Sequence, residues 1–436
     1  MNSSLYKTQI LFFIILKTIV LIIGCSSSSP VGSDGDFIQF YSTVGYTYQQ
    51  PDGNQVAFGY GDLPFIKPID IQLSDVPQWI VAVPIYGGSI WVTVLNDGKV
   101  QAFKIEGNDV VPVDIYPDTL TPGTPPTVVV DINGIPKLLN VHDSEASPLT
   151  NPVILDISDG SFAYIENTGD LLIQKGSHIS RVAVNALPDT RLLTDGSGRI
   201  LLLSDPTDSY IHGVTGDTME ATSISIIDIN SFPTIVKKIR IEEPHIIEGI
   251  SAIWTDLTGD GIREIIITIS DAKQGAQLVV YNEKGEQIAT GPAIGKGYRW
   301  RHQIAAASFE NNGIIEIVDV KTPHIGGIIE FYQLQQDSLK IEATLSGFTS
   351  HEYGSRNLDM AIVGDFDNDG LMELLLPSES FMEFGAIRRT YESAEVLWRI
   401  PVGGIITTNI ASVTLPGSTI GLGVGHNGKI LRLWLK

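Results

Sequence analysis

The chain has 436 residues, 43% of them hydrophobic and 18% charged, with a formal net charge of −22. That charge argues against nucleic-acid binding and against electrostatic docking on anionic lipid. With 43 Gly, 23 Pro and no long segment of helical periodicity, the chain reads as all-β, and its single cysteine excludes an intramolecular disulfide.

From the N-terminus, residues 1–24 have the pattern of a bacterial lipoprotein signal peptide. Lys7 supplies a positive start, Ile10 to Ile23 an apolar stretch interrupted by Lys17, and Ile22-Ile23-Gly24-Cys25 fits a lipobox. The apolar run is too short to span ~30 Å of hydrocarbon as a retained helix. The expected product begins at a lipidated Cys25, followed by a Ser- and Gly-rich tether over residues 25–36. Ser26 stands where Asp would favour inner-membrane retention, so an exported protein on the outer membrane is expected in a two-membrane bacterium. Residues 37–436 are expected to form one domain.

Along that domain, pairs of β-like runs meet at tight Gly turns. Ile90–Ile105 turns at Asn96-Asp97-Gly98, Phe162–Ile173 at Asn167-Thr168-Gly169, Leu278–Ala289 at Glu283-Lys284-Gly285, and Ile420–Leu435 at Asn427-Gly428. Asn-Gly and Asp-Gly suit the primed turns of two-residue hairpins. Units spaced by these hairpins start near residues 76, 118, 181, 247, 301, 356 and 405. That is about seven units of ~40–60 residues each, in the range of propeller repeats. The second and third units are the hardest to separate, and six or eight fit the same spacing. The last unit is short, and a strand from Gln55–Leu73 is expected to complete it and remove an exposed edge.

Two loops between such runs carry oxygen side chains at alternate positions, then Gly, then an acid. The first is Asp256, Thr258, Asp260, the carbonyl of Ile262, and Glu264. The second is Asp365, Asp367, Asp369, the carbonyl of Leu371, and Glu373. Calcium takes six to eight oxygen ligands, and this spacing offers them in a single tight turn. An EF-hand is excluded: its closing Glu falls at position 12 and a helix follows, whereas here Ile265–Ile269 and Leu374–Leu376 follow at once. Structural Ca2+ is therefore expected at both loops, more weakly at the first, which has one acid fewer. A third copy, Ser308, Glu310, Asn312, Gly313 and Glu316, lacks the first and third acids and is expected to hold its turn without metal.

The strand–DxDxDGxxE–strand unit resembles the FG-GAP or VCBS repeats of integrin α-type propellers, strongly over residues 248–400. In that family each repeat is a four-stranded blade, and the calcium loop joins its first two strands. The resemblance implies a β-propeller, here of seven blades.

If the loops lie on one face, the links between blades lie on the other. Those links hold Arg301, His302, His351 and Arg356, with Trp300 and Tyr353 beside them, and a loop between second and third strands on the same face holds His324. Converging histidines and arginines suit an anionic ligand, because the guanidinium fork matches carboxylates. The expected role is a binding module for an acidic glycan or an envelope protein. A polysaccharide-lyase-like enzyme using the same residues and a structural scaffold are the alternatives. No diagnostic catalytic motif decides between them.

Overall fold

The computed structural model describes residues 41–139, 141, 145–310 and 312–436. The predicted signal peptide, the tether and Cys25 lie outside the described residues. Among the described residues, every regular element is a strand.

Seven antiparallel four-stranded units follow one another among the described residues. Six are continuous, over 77–113, 153–182, 193–240, 253–290, 301–346 and 362–401. The seventh consists of 411–434 plus Ile69–Gln72, which pairs antiparallel with Ile430–Trp434. That strand comes from the region expected to complete the last unit. An eighth unit has three strands: Tyr41–Gly45, Val128–Asp131 and Pro136–Leu138. Two of its strands lie within the stretch the sequence assigned to the second unit, and the third comes from upstream. Short pairings at Ala221–Ile247 and Thr290–Ser338 join three of the units into one 13-stranded sheet.

The strand order explains the two kinds of sequence run. Middle strands such as Glu264–Asp271 and Gly88–Leu95 are buried on both faces, so they read as continuous apolar runs. Outer strands such as Ser393–Pro401 alternate buried and open positions, so they read as period two. Apolar cores lie between neighbouring units. Val279 and Tyr281 pack with Leu201 and Ile224, and Val318 and Phe331 with Leu374 and Ile387. The last unit packs on the first: Ala411, Val413 and Leu431 join Ile80, Ala82 and Trp91. Gly423 lets Trp91 lie against its backbone, since a Cβ there would sit 2.3 Å from the indole.

Residues 51–58 run past the first strands of five consecutive units. Thr194 N donates to Pro51 O (2.8 Å) and Trp254 N to Asp52 O (2.9 Å). Asn54 exchanges two bonds of 2.9 Å with the backbone of Ala306. Val363 N donates to Gln55 O (2.8 Å), and Thr414 Oγ1 to Phe58 O (2.7 Å). The bonds of Asn54 satisfy backbone groups of Ala306 that would otherwise be costly to bury.

Candidate functional site

Loops 256–264 and 365–373 share one hydrogen-bond pattern. The Oδ atoms of Asp365 accept from the amides of Asn368 (2.7 Å), Asp369 (3.2 Å) and Gly370 (3.1 Å). Asp256 accepts from Gly259 (2.7 Å), Asp260 (3.2 Å) and Gly261 (2.9 Å). The Leu371 amide donates to Asp369 and the Ile262 amide to Asp260. The closing acids reach back: Glu373 accepts from Phe366 N (2.9 Å) and Glu264 from Leu257 N (2.8 Å). Gly370 sits at φ +85°, a region that a Cβ disfavours.

In the second loop, carboxylate oxygens of Asp365, Asp367 and Glu373 lie within 4.8 Å of one another. Among the described residues, this is the one group of three His, Cys, Asp or Glu ligands gathered so closely. Asp367 Oδ1 is buried without a hydrogen-bond partner, while its Oδ2 accepts from Trp398 Nε1 (3.3 Å). An all-oxygen set with an orphaned carboxylate oxygen fits a hard divalent cation such as Ca2+. Burial pushes the Glu373 carboxyl up to about 7, against the Phe366 amide and Arg388. In the first loop Thr258 replaces the middle acid, and no such triad forms.

Sequence reasoning missed two arginines at these loops. Arg388 donates to Asp369 Oδ2 (2.7 Å) and to Glu373 Oε1. Its neighbour Arg389 points to the other face and enters the third loop, one sheet back. There it lies 3.2 Å from Glu316 and 3.6 Å from Glu310. Ser308 Oγ, Glu310 Oε1 and Glu316 Oε2 are buried there without hydrogen bonds. Two successive arginines in a strand that is otherwise small or apolar between its ends, Glu383–Thr390, were the available signal.

At the opposite ends of the strands, His302, His324 and His351 come together. His324 Nε2 and His351 Nδ1 are 2.7 Å apart, and His351 Nε2 is 2.7 Å from the Ser355 carbonyl. A carbonyl only accepts, so His351 donates from Nε2, and in its neutral form receives the proton of His324 at Nδ1. His302 bonds Ser350 Oγ (2.8 Å) and stacks on Trp300 at 4.9 Å. Burial holds His351 down to about 3 and His324 to about 4, and holds His302 well below its ordinary range. His302 and His351 are buried, so His324 is the one of the three that reaches the surface.

The two arginines assigned to this sector do not join it. Arg301 precedes His302 in one strand, so its side chain takes the opposite face. It is buried against Asp319, Glu330 and Tyr332. Burial works against its charge, and those three partners outweigh it. Arg356 is held by Asp189 (2.9 Å) and Asp217 (2.6 Å). It lines a cavity of ≈ 20 Å³ with Thr47, Trp79 and Arg191, room for about one water.

A fourth histidine joins instead. His212 Nδ1 and the buried Glu248 Oε1 share a 2.5 Å hydrogen bond, and Ser270 Oγ donates to Glu248 Oε2. Tyr353 Oη donates to the His212 carbonyl (2.8 Å), and its ring meets His324 edge-on at 5.2 Å. Tyr298 and Tyr353, 39% and 58% exposed, form the rim. His212 lies ninety residues before His302, so no local pattern marks it.

No protein-family model matches the chain, and no curated protein matches it.

Proposed function

We propose that this chain is a calcium-stabilised β-propeller of the FG-GAP or VCBS type. In this reading it is exported, anchored through lipid on Cys25, and binds a glycan or an envelope protein. The observation that carries it is the Asp365, Asp367 and Glu373 triad, set between the first two strands of a repeated four-stranded unit. The ring is supported by residues 51–58. One short segment can bond the first strands of five units in order only if those strands converge on a common line. The seven four-stranded units are then seven blades, and the three-stranded unit is an eighth, incomplete one. Packing of the last unit on the first supports closure of the circle.

The test is thermal and chemical unfolding with calcium and with chelator. At a calcium concentration of 100 Kd, bound metal adds about 2.7 kcal/mol. Asp367→Ala is expected to abolish that increment. If chelator leaves the wild-type melt unchanged, the calcium assignment is wrong. Fractionation of Cys25→Ser into the soluble pool checks the anchor, and continued membrane association refutes it.

The pair His212–Glu248 favours a second reading. A buried carboxylate that orients an imidazole is the arrangement of a general base. A carbohydrate-active enzyme working at this end of the sheets would release product from an acidic polysaccharide. A binding module would retain the polymer intact.

A further inference from the structure

This inference rests on the binding reading in its acidic-glycan form, which calls for positive charge at the surface. Arg301 and Arg356, the cations first assigned to it, are both engaged by acids. The charge lies one unit earlier, at the turn after Glu264–Asp271 and the link that follows. The turn around Lys273 and the loop 291–300 are locked together: Lys296 N donates to Gln274 O (3.1 Å) and Ala276 N to Arg299 O (2.9 Å). Gly297 lies so close to this turn that a Cβ would sit 1.9 Å from the Ala272 carbonyl. Lys273, Lys296 and Arg299 are thus gathered on two adjoining loops. Lys273 and Lys296 are exposed and Arg299 is partly so. None of the three has a carboxylate of a described residue within ion-pair distance, whereas most lysines and arginines of the chain do.

Residues 272–275 and 291–300 contain no acid. The acid at their border, Asp271, is already engaged by the Gln274 amide (2.8 Å) and faces His245 at 3.4 Å. On a chain of net charge −22, three cations and the bordering Asp271 leave this pair of loops with a formal excess of +2 (3 − 1 = 2). Tyr298 stands among them. It is held at φ +54°, a conformation costly for a bulky residue, and its ring stacks on Tyr210 at 5.2 Å. One face of the Tyr298 ring is fixed against Tyr210 while the side chain stays 39% exposed.

We propose that this surface binds an anionic polysaccharide. Lys273, Lys296 and Arg299 pair with its carboxylate or sulfate groups, and Tyr298 provides a flat platform for a sugar ring. A repeating acidic chain fits better than a lone anion, because the cations lie on an open surface rather than in a pocket.

The full chain in neutral detergent is tested for binding to immobilised hyaluronate, dextran sulfate and uncharged dextran at low and high salt. The wild type is expected to bind an anionic polymer, and more weakly at high salt. Which anionic polymer binds better separates carboxylate from sulfate recognition. The triple variant Lys273→Ala, Lys296→Ala, Arg299→Ala is expected to bind about tenfold more weakly with an unchanged melting temperature. Tyr298→Ala is expected to weaken binding at both salt concentrations. If the triple variant binds as tightly as the wild type, or if double-stranded DNA binds as well as the polysaccharides, this inference is overturned. Failure to bind either anionic polymer, or equal binding to uncharged dextran, also overturns it. The broader binding reading falls separately, if an envelope polysaccharide extract also fails to retain the chain.

Discussion

Loops 308–316 and 365–373 hold equivalent places in adjacent sheets, yet they neutralise their acids in different ways. In each, the closing Glu is paired across the sheet with a residue of the third strand. That residue is Gln333 opposite Glu316, and Arg388 opposite Glu373. Loop 365–373 has four acids against one arginine, a formal charge of −3 (4 − 1 = 3) with every acid ionised. Loop 308–316 has two acids against Arg389, a residual charge of −1 (2 − 1 = 1). The first balance leaves an acidic set that could hold a divalent cation. In the second, an arginine from the next sheet offsets the acids, and it also ties two sheets together.

The strongest way to break this comparison is Arg389→Ala. Arg389 is 2% exposed, and its removal leaves the buried Glu316 beside the partly exposed Glu310 without their shared cation. Stripping one partner from a buried ion pair costs about 3–5 kcal/mol. The loss is expected in urea unfolding, and it should be the same with calcium and with chelator. A variant as stable as the wild type would mean that Arg389 does not replace a metal.

The acid response of the loops has to be separated from that of the histidine end of the same sheet. His351 and His324 are held down to about 3 and about 4 by burial. Unfolded, each takes up a proton near pH 6.5. The unfolded chain therefore binds more protons between pH 6.5 and about 4, and stability falls as the pH drops through that window. The slope is about 1.4 kcal/mol per pH unit for each histidine. Above pH 6.5 these groups contribute no pH dependence. His351→Gln should flatten the wild-type profile between pH 6 and 4.5. Equal slopes in the two proteins would place the acid sensitivity in the carboxylates.

Much of this arrangement was legible in the sequence, and the part that was not has a physical reason. The alternating oxygens of 365–373, the Gly turns and the strand supplied by Ile69–Gln72 are local signals, set by backbone geometry and hydrogen-bonding type. The convergence of His302, His324 and His351 followed from assigning links to one face. Arg301 was misplaced although its neighbour His302 already occupied that face, so strict period-two alternation would have removed it. The three-stranded unit was merged with its neighbour because one of its strands, Tyr41–Gly45, comes from far upstream. The path of residues 51–58 left no trace, because its contacts run mostly through backbone atoms that any residue carries. Arg388 and Arg389 were visible only as an oddity, two charges in a buried strand, since their partners lie on two different loops.

The finest test of the comparison is Arg388→Gln, which gives loop 365–373 the cross-strand amide that loop 308–316 already has in Gln333. Gln333 Nε2 donates to Glu316 Oε1 at 3.1 Å, so the geometry can accept an amide at this register. Arg388 now places positive charge on Asp369 and Glu373, both assigned to the cation. A divalent ion entering the loop has to overcome that repulsion and loosen those bonds. Removing the guanidinium raises the residual loop charge from −3 to −4 and leaves every proposed ligand in place. Calcium titration by calorimetry is expected to show about tenfold tighter binding, a gain of about 1.4 kcal/mol. Weaker binding would mean that Arg388 orients the acids for the ion and does not compete with it. The two loops would then differ in the sheet their arginine comes from, and no longer in what it does.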